Sequence, residues 1–524
     1  QLDSSQSASD RTSKIKDLFN GKVNLLFISP ERLAMPSFRN DLQELDIRTF
    51  AIDEAHCISH WGHDFRPDYR LLSLLKDEFP KASIHAYTAT ATEQVRQDII
   101  EQLGLKNPEV LVGNFDRPNL LYRVMSRQES MKQIMEVIDR HKGEGGIIYC
   151  ISRKDVDKLT EKLKKVGMKV ERYHAGMTPL QRSATQEAFA EERCDVVVAT
   201  VAFGMGIDRS NVRYVLHTAM PKSIEAYQQE TGRAGRDGLE AECVLLHSGS
   251  DFFTWKSLLE RSSGEGDADQ SVIESGILHL REMNRFCRSV LCRHKVLVNY
   301  FGQEYNTTDC TACDMCLGET IIVEDADIIA KKILSCVARV KGSFGVGHII
   351  AVLRGEKSDN IERYKHHELS TYGLMKEYGE HALRDWIYQL IEQGFLNQDS
   401  VQGWGGQSFP VLKLNKASLE VMQDQQRVRL TQPVQRKRGE KTKTSKADKA
   451  SWEGVNRDIF EELRNLRRDL ATERRVPPYV IFSDATLREL ARIRPRTLSE
   501  MRQIHGIGDV KLKDFGDKFL QLVL

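Results

Sequence analysis

The stretch "GGIIYCISRKDVDKLTEKLKKVG", residues 145–167, holds the reading on which the fold turns. Its first eight residues are a short apolar run of strand length, rich in isoleucine and closed by a polar turn. The last thirteen, "DVDKLTEKLKKVG", repeat apolar side chains at helical spacing and stop at a glycine, where a helix commonly ends. A strand that passes directly into an amphipathic helix is the unit of a parallel sheet, because parallel neighbours need a crossover between them. Similar runs recur at "VNLLFIS", "RTFAIDEA", "SIHAYTAT", "CDVVVAT" and "VRYVLHT". Each is expected to be a strand, and the polar "NFDRPN" at 114–119 divides them into two sheets, the first looking incomplete. The predicted class is therefore α/β with two parallel-sheet domains in tandem.

The bulk numbers leave room for more. A chain of 524 residues accommodates several domains, at roughly 100–200 residues each. Lys+Arg number 76 and Asp+Glu 75, so net charge names no partner and any nucleic-acid surface must arise by local clustering. No apolar run of about 18 residues suggests a membrane span. The opening "QLDSSQSASDRTSK" lacks the apolar core of a secretory signal.

Chemistry concentrates at strand ends. In "AIDEAHCISHWGHDFRP", residues 51–67, Asp53 and Glu54 close a buried run, where open α/β sheets bind ligands. An aspartate there can hold Mg²⁺ through water, and the adjacent glutamate can orient or deprotonate an attacking water. His56 follows, and then a loop with Trp61, His63, Phe65 and Arg66. Downstream, "YQQETGRAGRDG" at 227–238 sets Arg233 and Arg236 among glycines, a spacing suited to neutralising phosphate charge. Between them "VVVATVAFGMGIDRSNV" places Thr200, Gly204, Gly206 and Asp208 after another strand. Standing alone, each segment reads more blandly, as a solvated strand end or a basic helix start.

Together these segments resemble a superfamily 2 helicase motor, and specifically the RecQ family. "DEAH" with "CISHWGHDFRP" matches the second motif and the aromatic-rich loop; "TATA" at 88–91 resembles the third motif. "IIYCISRKD" and "YHAGM" resemble the fourth region, "ATVAFGMGID" the fifth and "QQETGRAGRDG" the sixth. The resemblance implies two RecA-like domains that bind Mg²⁺ and ATP, with Asp53, Glu54, His56, Arg233 and Arg236 catalytic. Asp53, Gly206, Asp208, Gln229, Arg233 and Arg236 would face the nucleotide. Trp61, His63, Phe65, Arg66, Ser152, Arg153 and Thr200 would face single-stranded DNA, aromatics stacking on bases without reading them. It further implies 3′-to-5′ movement in recombination and repair, duplex or forked DNA as substrate, and a single-stranded-DNA-binding protein as a further partner. The expected setting is cytoplasmic and nucleoid-associated; "RKRGEKTKTSKADK" as a nuclear address is the weaker alternative.

The phosphate-binding loop G-x-x-x-x-G-K-[ST] does not occur: Gly21-Lys22 is followed by Val23, and no other glycine-lysine pair has the hydroxyl neighbour. In the family that loop lies upstream of the position equivalent to Gln1. The expectation is a family member without its first portion, and a 524-residue polypeptide that does not hydrolyse ATP. The competing reading is a non-catalytic DNA-binding fragment.

Past residue 250 the pattern turns helical. "LCRHKVLVNYFGQEYNTTDCTACDMC" offers Cys310, Cys313 and Cys316 in two Cys-x-x-Cys steps, with Cys292 as the fourth thiolate for a structural Zn²⁺ and Cys287 as its competitor. Four sulfurs leave no open position, which counts against a zinc-dependent nuclease. Residues 320–424 resemble a winged-helix domain in which Lys357 and Arg363 are candidate phosphate contacts; Trp404 stays unassigned. The 23 residues 427–449, with nine basic and two acidic side chains, read as a solvated linker. The last segment, with "HGIGDVK", resembles the helicase-and-RNase-D C-terminal module. The expected division is 1–113 and 114–250 for the two RecA-like domains, the first truncated, and 251–319 for the zinc region. The winged helix takes 320–424, the basic linker 425–450 and the terminal module 451–524.

Overall fold

The computed structural model describes residues 16–204, 207–262, 270–402, 408–433 and 445–524. In the first body β1 (Thr49–Ile52) and β2 (Ser83–Ala86) pair in parallel, Thr49 beside Ser83 and Ile52 beside Ala86. Leu33, Phe38, Leu72, Leu75, Val95 and Ile99 pack around them. "VNLLFIS", expected to be a strand, forms none: Leu25 is 69% and Phe27 62% exposed. Apolar side chains supply strand propensity, but a strand exists only where a neighbour completes the hydrogen-bond ladder, and no described segment does so here.

The second body is a six-stranded sheet ordered β3-β8-β7-β4-β6-β5, with every pair parallel. The strands are β3 (Leu120–Ser126), β4 (Gly145–Tyr149), β5 (Val170–Tyr173), β6 (Val196–Ala199), β7 (Val212–His217) and β8 (Ala241–His247). The apolar runs are continuous because both faces are covered. In β4, Ile147 and Tyr149 enter one core and Ile148 the opposite one. The helix Arg153–Lys165 leaves that strand as its sequence requires. Ser152 caps it by accepting the Asp155 N–H at 3.1 Å, Val156, Leu159 and Leu163 face the sheet, and Gly167 closes it at φ +82°.

The helices Gly249–Ser262, Gln270–Arg288 and Arg293–Tyr300 share the core of this second sheet through Leu280, Met283, Phe286, Leu297 and Phe301. A separate core holds the winged-helix region: helices Ala326–Arg339, Val346–Arg354 and Glu380–Glu392 with the antiparallel hairpin β10 (Asn397–Gln402) and β11 (Ser408–Lys413). Trp404 lies outside the described residues. The expected solvated linker begins later than its composition suggests. Val428 and Leu430 are buried, and β12 (Thr431–Pro433) pairs with β9 (Thr320–Ile322). Alternation decides this: two apolar side chains two residues apart turn inward while Arg427 and Arg429 turn to solvent.

The terminal helices Arg457–Arg474, Asp484–Ile493 and Asp509–Val523 form a small bundle of their own. It docks on the second body through buried charge. Arg467 donates to Asp484 at 2.7 Å and to Glu192 at 3.2 Å, and Arg488 donates to Glu240 at 2.6 Å. Asn211 joins both acids of the first group. No helix among the described residues is long and apolar enough to cross a membrane.

Candidate functional site

At the end of β1 the backbone turns left-handed at Glu54, φ 48°. Two hydrogen bonds hold the turn: Ala55 N–H donates to the Tyr87 carbonyl beyond β2 at 2.9 Å, and Glu54 N–H to Asp53 Oδ1 at 2.9 Å. Asp53 is left exposed and Glu54 half-buried. Burial, and then the neighbouring Asp53, raise the Glu54 pKa, against the opposing charge of Arg233. His56 bonds Thr88 Oγ1 of the "TATA" segment at 3.0 Å, and burial pushes its pKa down to about 4, so the ring is neutral near pH 7.

The second body closes this cleft. Gln229, on the helix Ile224–Thr231, donates to Glu54 Oε1 at 3.1 Å. Glu54 Oε2 takes no hydrogen bond and lies 3.4 Å from His56 Nδ1. Arg233 is buried and donates to the Gly204 carbonyl, while its Nε has no partner. Arg236 is exposed and donates to the Ile207 carbonyl at 2.7 Å; burial of its base and then Arg233 lower its pKa. Asp53, Glu54, His56, Gln229 and Arg233 are thus brought together, with Arg236 turned toward Ile207. Asp208 accepts the Tyr479 hydroxyl of the terminal bundle at 2.9 Å. Gly206 lies outside the described residues.

The donor set suits a divalent cation and its waters. One exposed carboxylate sits at a strand end, an adjacent carboxylate keeps an unused oxygen, and the charge of buried Arg233, whose Nε has no partner, is felt by that carboxylate. The two arginines suit phosphate charge, but the chain has no glycine-lysine loop to cradle phosphates.

The aromatic loop leaves the same turn. Gly62 is required there, because a Cβ would run into the His56 carbonyl. Trp61 is 47% exposed. His63 instead stacks on His56, ring centroids 4.5 Å apart, and burial holds its pKa well below the usual range. Phe65 stacks on His60 at 4.0 Å. Arg66 pairs with Asp64 at 3.0 Å, and Asp64 reaches Lys222 of the second body at 3.5 Å. Of the four expected DNA contacts, Trp61 therefore points outward, Arg66 is paired and partly exposed, and His63 and Phe65 stiffen the loop from within. Thr200 is buried, Ser152 is committed to its helix cap, and Arg153 is exposed beside it. Lys357 and Arg363 lie exposed on the winged-helix region, far along the chain from this cleft.

The sulfurs of Cys292, Cys310, Cys313 and Cys316 lie within 4.8 Å of one another. Four thiolates around tetrahedral zinc stand about 3.8 Å apart, given Zn–S of ~2.3 Å, so the cluster fits that ion. Cys287 packs in the apolar core and is not part of the group. The cluster is anchored by Arg293, which clasps Asp314 at 2.8 and 3.0 Å between the ligand positions. Arg123 of β3 then pairs with Glu319 at 2.8 Å and with buried Glu242.

Sequence reading missed the residues that hold the arginine turn. Arg117 donates to the carbonyls of Ala234 and Gly235 at 3.2 and 3.0 Å, and Asn119 to Gly235 and Leu239 at 3.0 and 2.8 Å. "NFDRPN" reads as a divider, and its polar side chains are the signal that it also clamps something. Tyr479 and Lys222 carried no signal at all.

Five domain families match in chain order: DEAD/DEAH box helicase at 2–99, helicase conserved C-terminal domain at 129–238, RecQ zinc-binding at 249–317, RQC domain at 320–439 and HRDC domain at 456–523. Curated relatives match throughout. The ATP-dependent DNA helicase RecQ of Pasteurella multocida is 39% identical over all of this chain and 80% of its own length. That of Haemophilus influenzae is 40% identical over all of this chain and 82% of its own. The Bacillus subtilis protein of the same name is 36% identical over 99% of this chain and 84% of its own.

Proposed function

The chain belongs to the RecQ family of ATP-dependent DNA helicases, and from that premise we propose that its two RecA-like bodies convert nucleotide turnover into 3′-to-5′ movement on single-stranded DNA during recombination and repair. The observation that carries this reading is the Gln229–Glu54 hydrogen bond, 3.1 Å across the cleft between the two bodies. It ties the acid of one body to the arginine-bearing segment of the other at the root of the aromatic loop. Bound Mg-ATP would supply the phosphoanhydride and the charge that draws the cleft shut. Asp53 is the carboxylate for the cation's water shell. Glu54, its pKa raised by burial, accepts the proton of a water at Oε2, the oxygen with no other bond. Arg233 stands ready to donate to phosphate. Trp61 stacks on a base of the translocating strand, and Arg66 meets phosphate once Asp64 releases it.

The cysteine cluster would hold Zn²⁺ as a structural brace, and the winged-helix region, with Lys357 and Arg363, would grip the duplex. A DNA substrate is supported by the relatives' name, DNA helicase; duplex or forked DNA as its form, a single-stranded-DNA-binding protein and a cytoplasmic, nucleoid-associated setting complete the reading.

A second reading applies to the 524 residues taken alone. Without G-x-x-x-x-G-K-[ST] they bind DNA and do not turn over ATP. Steady-state ATPase with and without single-stranded DNA tests this, and turnover abolished by Glu54→Gln would refute it. Joined in cis to such a loop, the chain is expected to unwind duplexes with a 3′ tail. Unwinding confined to 5′-tailed duplexes would overturn the polarity.

A further inference from the structure

One turn before Gln229 on the same helix lies Glu225, a carboxylate 2% exposed that the mechanism above leaves unused. Its Oε1 accepts the Tyr300 hydroxyl at 2.6 Å and lies 3.6 Å from His279 Nδ1; Oε2 has no hydrogen bond. On the opposite edge of that imidazole, His279 Nε2 is 3.1 Å from the backbone carbonyl of Trp61. A carbonyl only accepts, so Nε2 donates to it; the carboxylate at Nδ1 also only accepts, so Glu225 steadies the ring through an N–H on that nitrogen as well. One turn away on the helix Gln270–Arg288, Ser275 donates to the His60 carbonyl at 3.3 Å. The helical region after the second sheet thus holds two successive carbonyls of a loop that belongs to the first body. The loop is attached at both ends to one helix: Glu54 through Gln229, and Trp61 through His279 and Glu225.

We propose that His279 is a positioning residue, steadied by Glu225 and Tyr300, that sets the outward pose of Trp61. A half-buried histidine that merely fills a helix contact would not place its ring between a buried carboxylate and a carbonyl of the exposed tryptophan. The inference rests on the reading that Trp61 stacks on single-stranded DNA.

The test is the affinity of the 524-residue chain for fluorescently labelled oligo(dT), with zinc content and thermal melting as folding controls. Trp61→Ala weakens binding. His279→Ala weakens it roughly two- to tenfold, the worth of one such hydrogen bond. His279→Gln, whose amide N–H reaches the same carbonyl, recovers most of the loss. The double variant binds no more weakly than Trp61→Ala, because both act through one side chain. If His279→Ala proves unstable, Glu225→Gln takes its place and must show the same non-additive loss. Unchanged affinity in His279→Ala or Glu225→Gln while Trp61→Ala is impaired overturns the proposal, as do losses that simply add. Unchanged affinity in Trp61→Ala removes the underlying DNA reading instead.

Discussion

Arg467→Met probes the joint between the terminal bundle and the motor. Arg467 is fully buried, and its guanidinium serves Asp484 at 2.7 Å, Glu192 at 3.2 Å and the Phe482 carbonyl at 2.9 Å. Burial alone would raise the Asp484 pKa, but Arg467, Arg213 and Arg464 together hold it well below the usual carboxylate range. Methionine keeps most of the side-chain volume and removes the charge, so two acids stay buried without their principal partner. Breaking such a pair costs about 3–5 kcal/mol. Arg213, Arg464 and Asn211 remain nearby and place the effect at the lower end, about 3 kcal/mol, or roughly a hundredfold in the opening equilibrium. Amide hydrogen exchange across Arg457–Arg474 and Asp484–Ile493 reads that equilibrium locally, which a global denaturation of several domains does not. Asp484→Asn added to Arg467→Met should recover part of the loss by removing one orphaned charge. Undocking also separates Tyr479 from Asp208 and leaves that carboxylate without the hydroxyl it accepts. An exchange rate within threefold of the parent would refute the assignment of docking energy to this cluster.

Other perturbations reach the remaining joints. His141, between Glu144 and Glu242, is pushed up to about 9: burial opposes its charge, and hydrogen bonds to both acids outweigh it. Its stabilisation is complete below the unfolded value of 6.5 and is lost as pH rises toward about 9. His141→Gln should flatten that limb by on the order of 3 kcal/mol, seen in amide protection of the helix Ser130–Arg140 at pH 6 and pH 9 after correction for intrinsic exchange. Stripping zinc with a chelator and a thiol reagent should open Arg293–Tyr300 and the Cys310–Cys316 segment to protease while leaving β4 to β7 protected; uniform protection throughout would contradict a structural role. Gly235→Ala meets Asn119 Nδ2 at 2.5 Å and the Leu239 carbonyl at 2.7 Å, at a backbone φ of +57°. We expect a loss of about 1–3 kcal/mol, and a neutral result would show that the arginine turn is not clamped as described.

The sheet domains were legible because buried parallel strands and their crossover helices write themselves into contiguous sequence. "GGIIYCIS" and "DVDKLTEKLKKVG" needed only their own spacing. β3, β5 and β8 were less visible, since "LLYRVMS", "VERY" and "AECVLLH" mix charge into short runs. The charges of β3 and β8 are neutralised by partners far along the chain, as Arg123 and Glu242 are by each other, and those of β5 by Lys164 and Asp157 of the preceding helix. The strand that did not form, around Leu25 and Phe27, shows the converse: pattern proposes a strand and a neighbour must complete it. The linker erred for a related reason. Nine basic residues outweighed Val428 and Leu430 in the composition, although burial follows individual side chains.

Sequence by itself determined the parallel α/β class, the acid pair, the arginine pair, the aromatic loop and the cysteine set, because each is a short-range pattern of residue types. Tertiary structure alone decided that Trp61 faces out while His63 faces in, and that Tyr479 reaches Asp208, while it brought Cys292, already the favoured fourth ligand, to the other three sulfurs. It also joined Gln229 to Glu54 and His279 to Trp61, pairs separated by 175 and 218 positions. Such contacts depend on how independently folded bodies come to rest against one another, and no periodicity within a single segment records that.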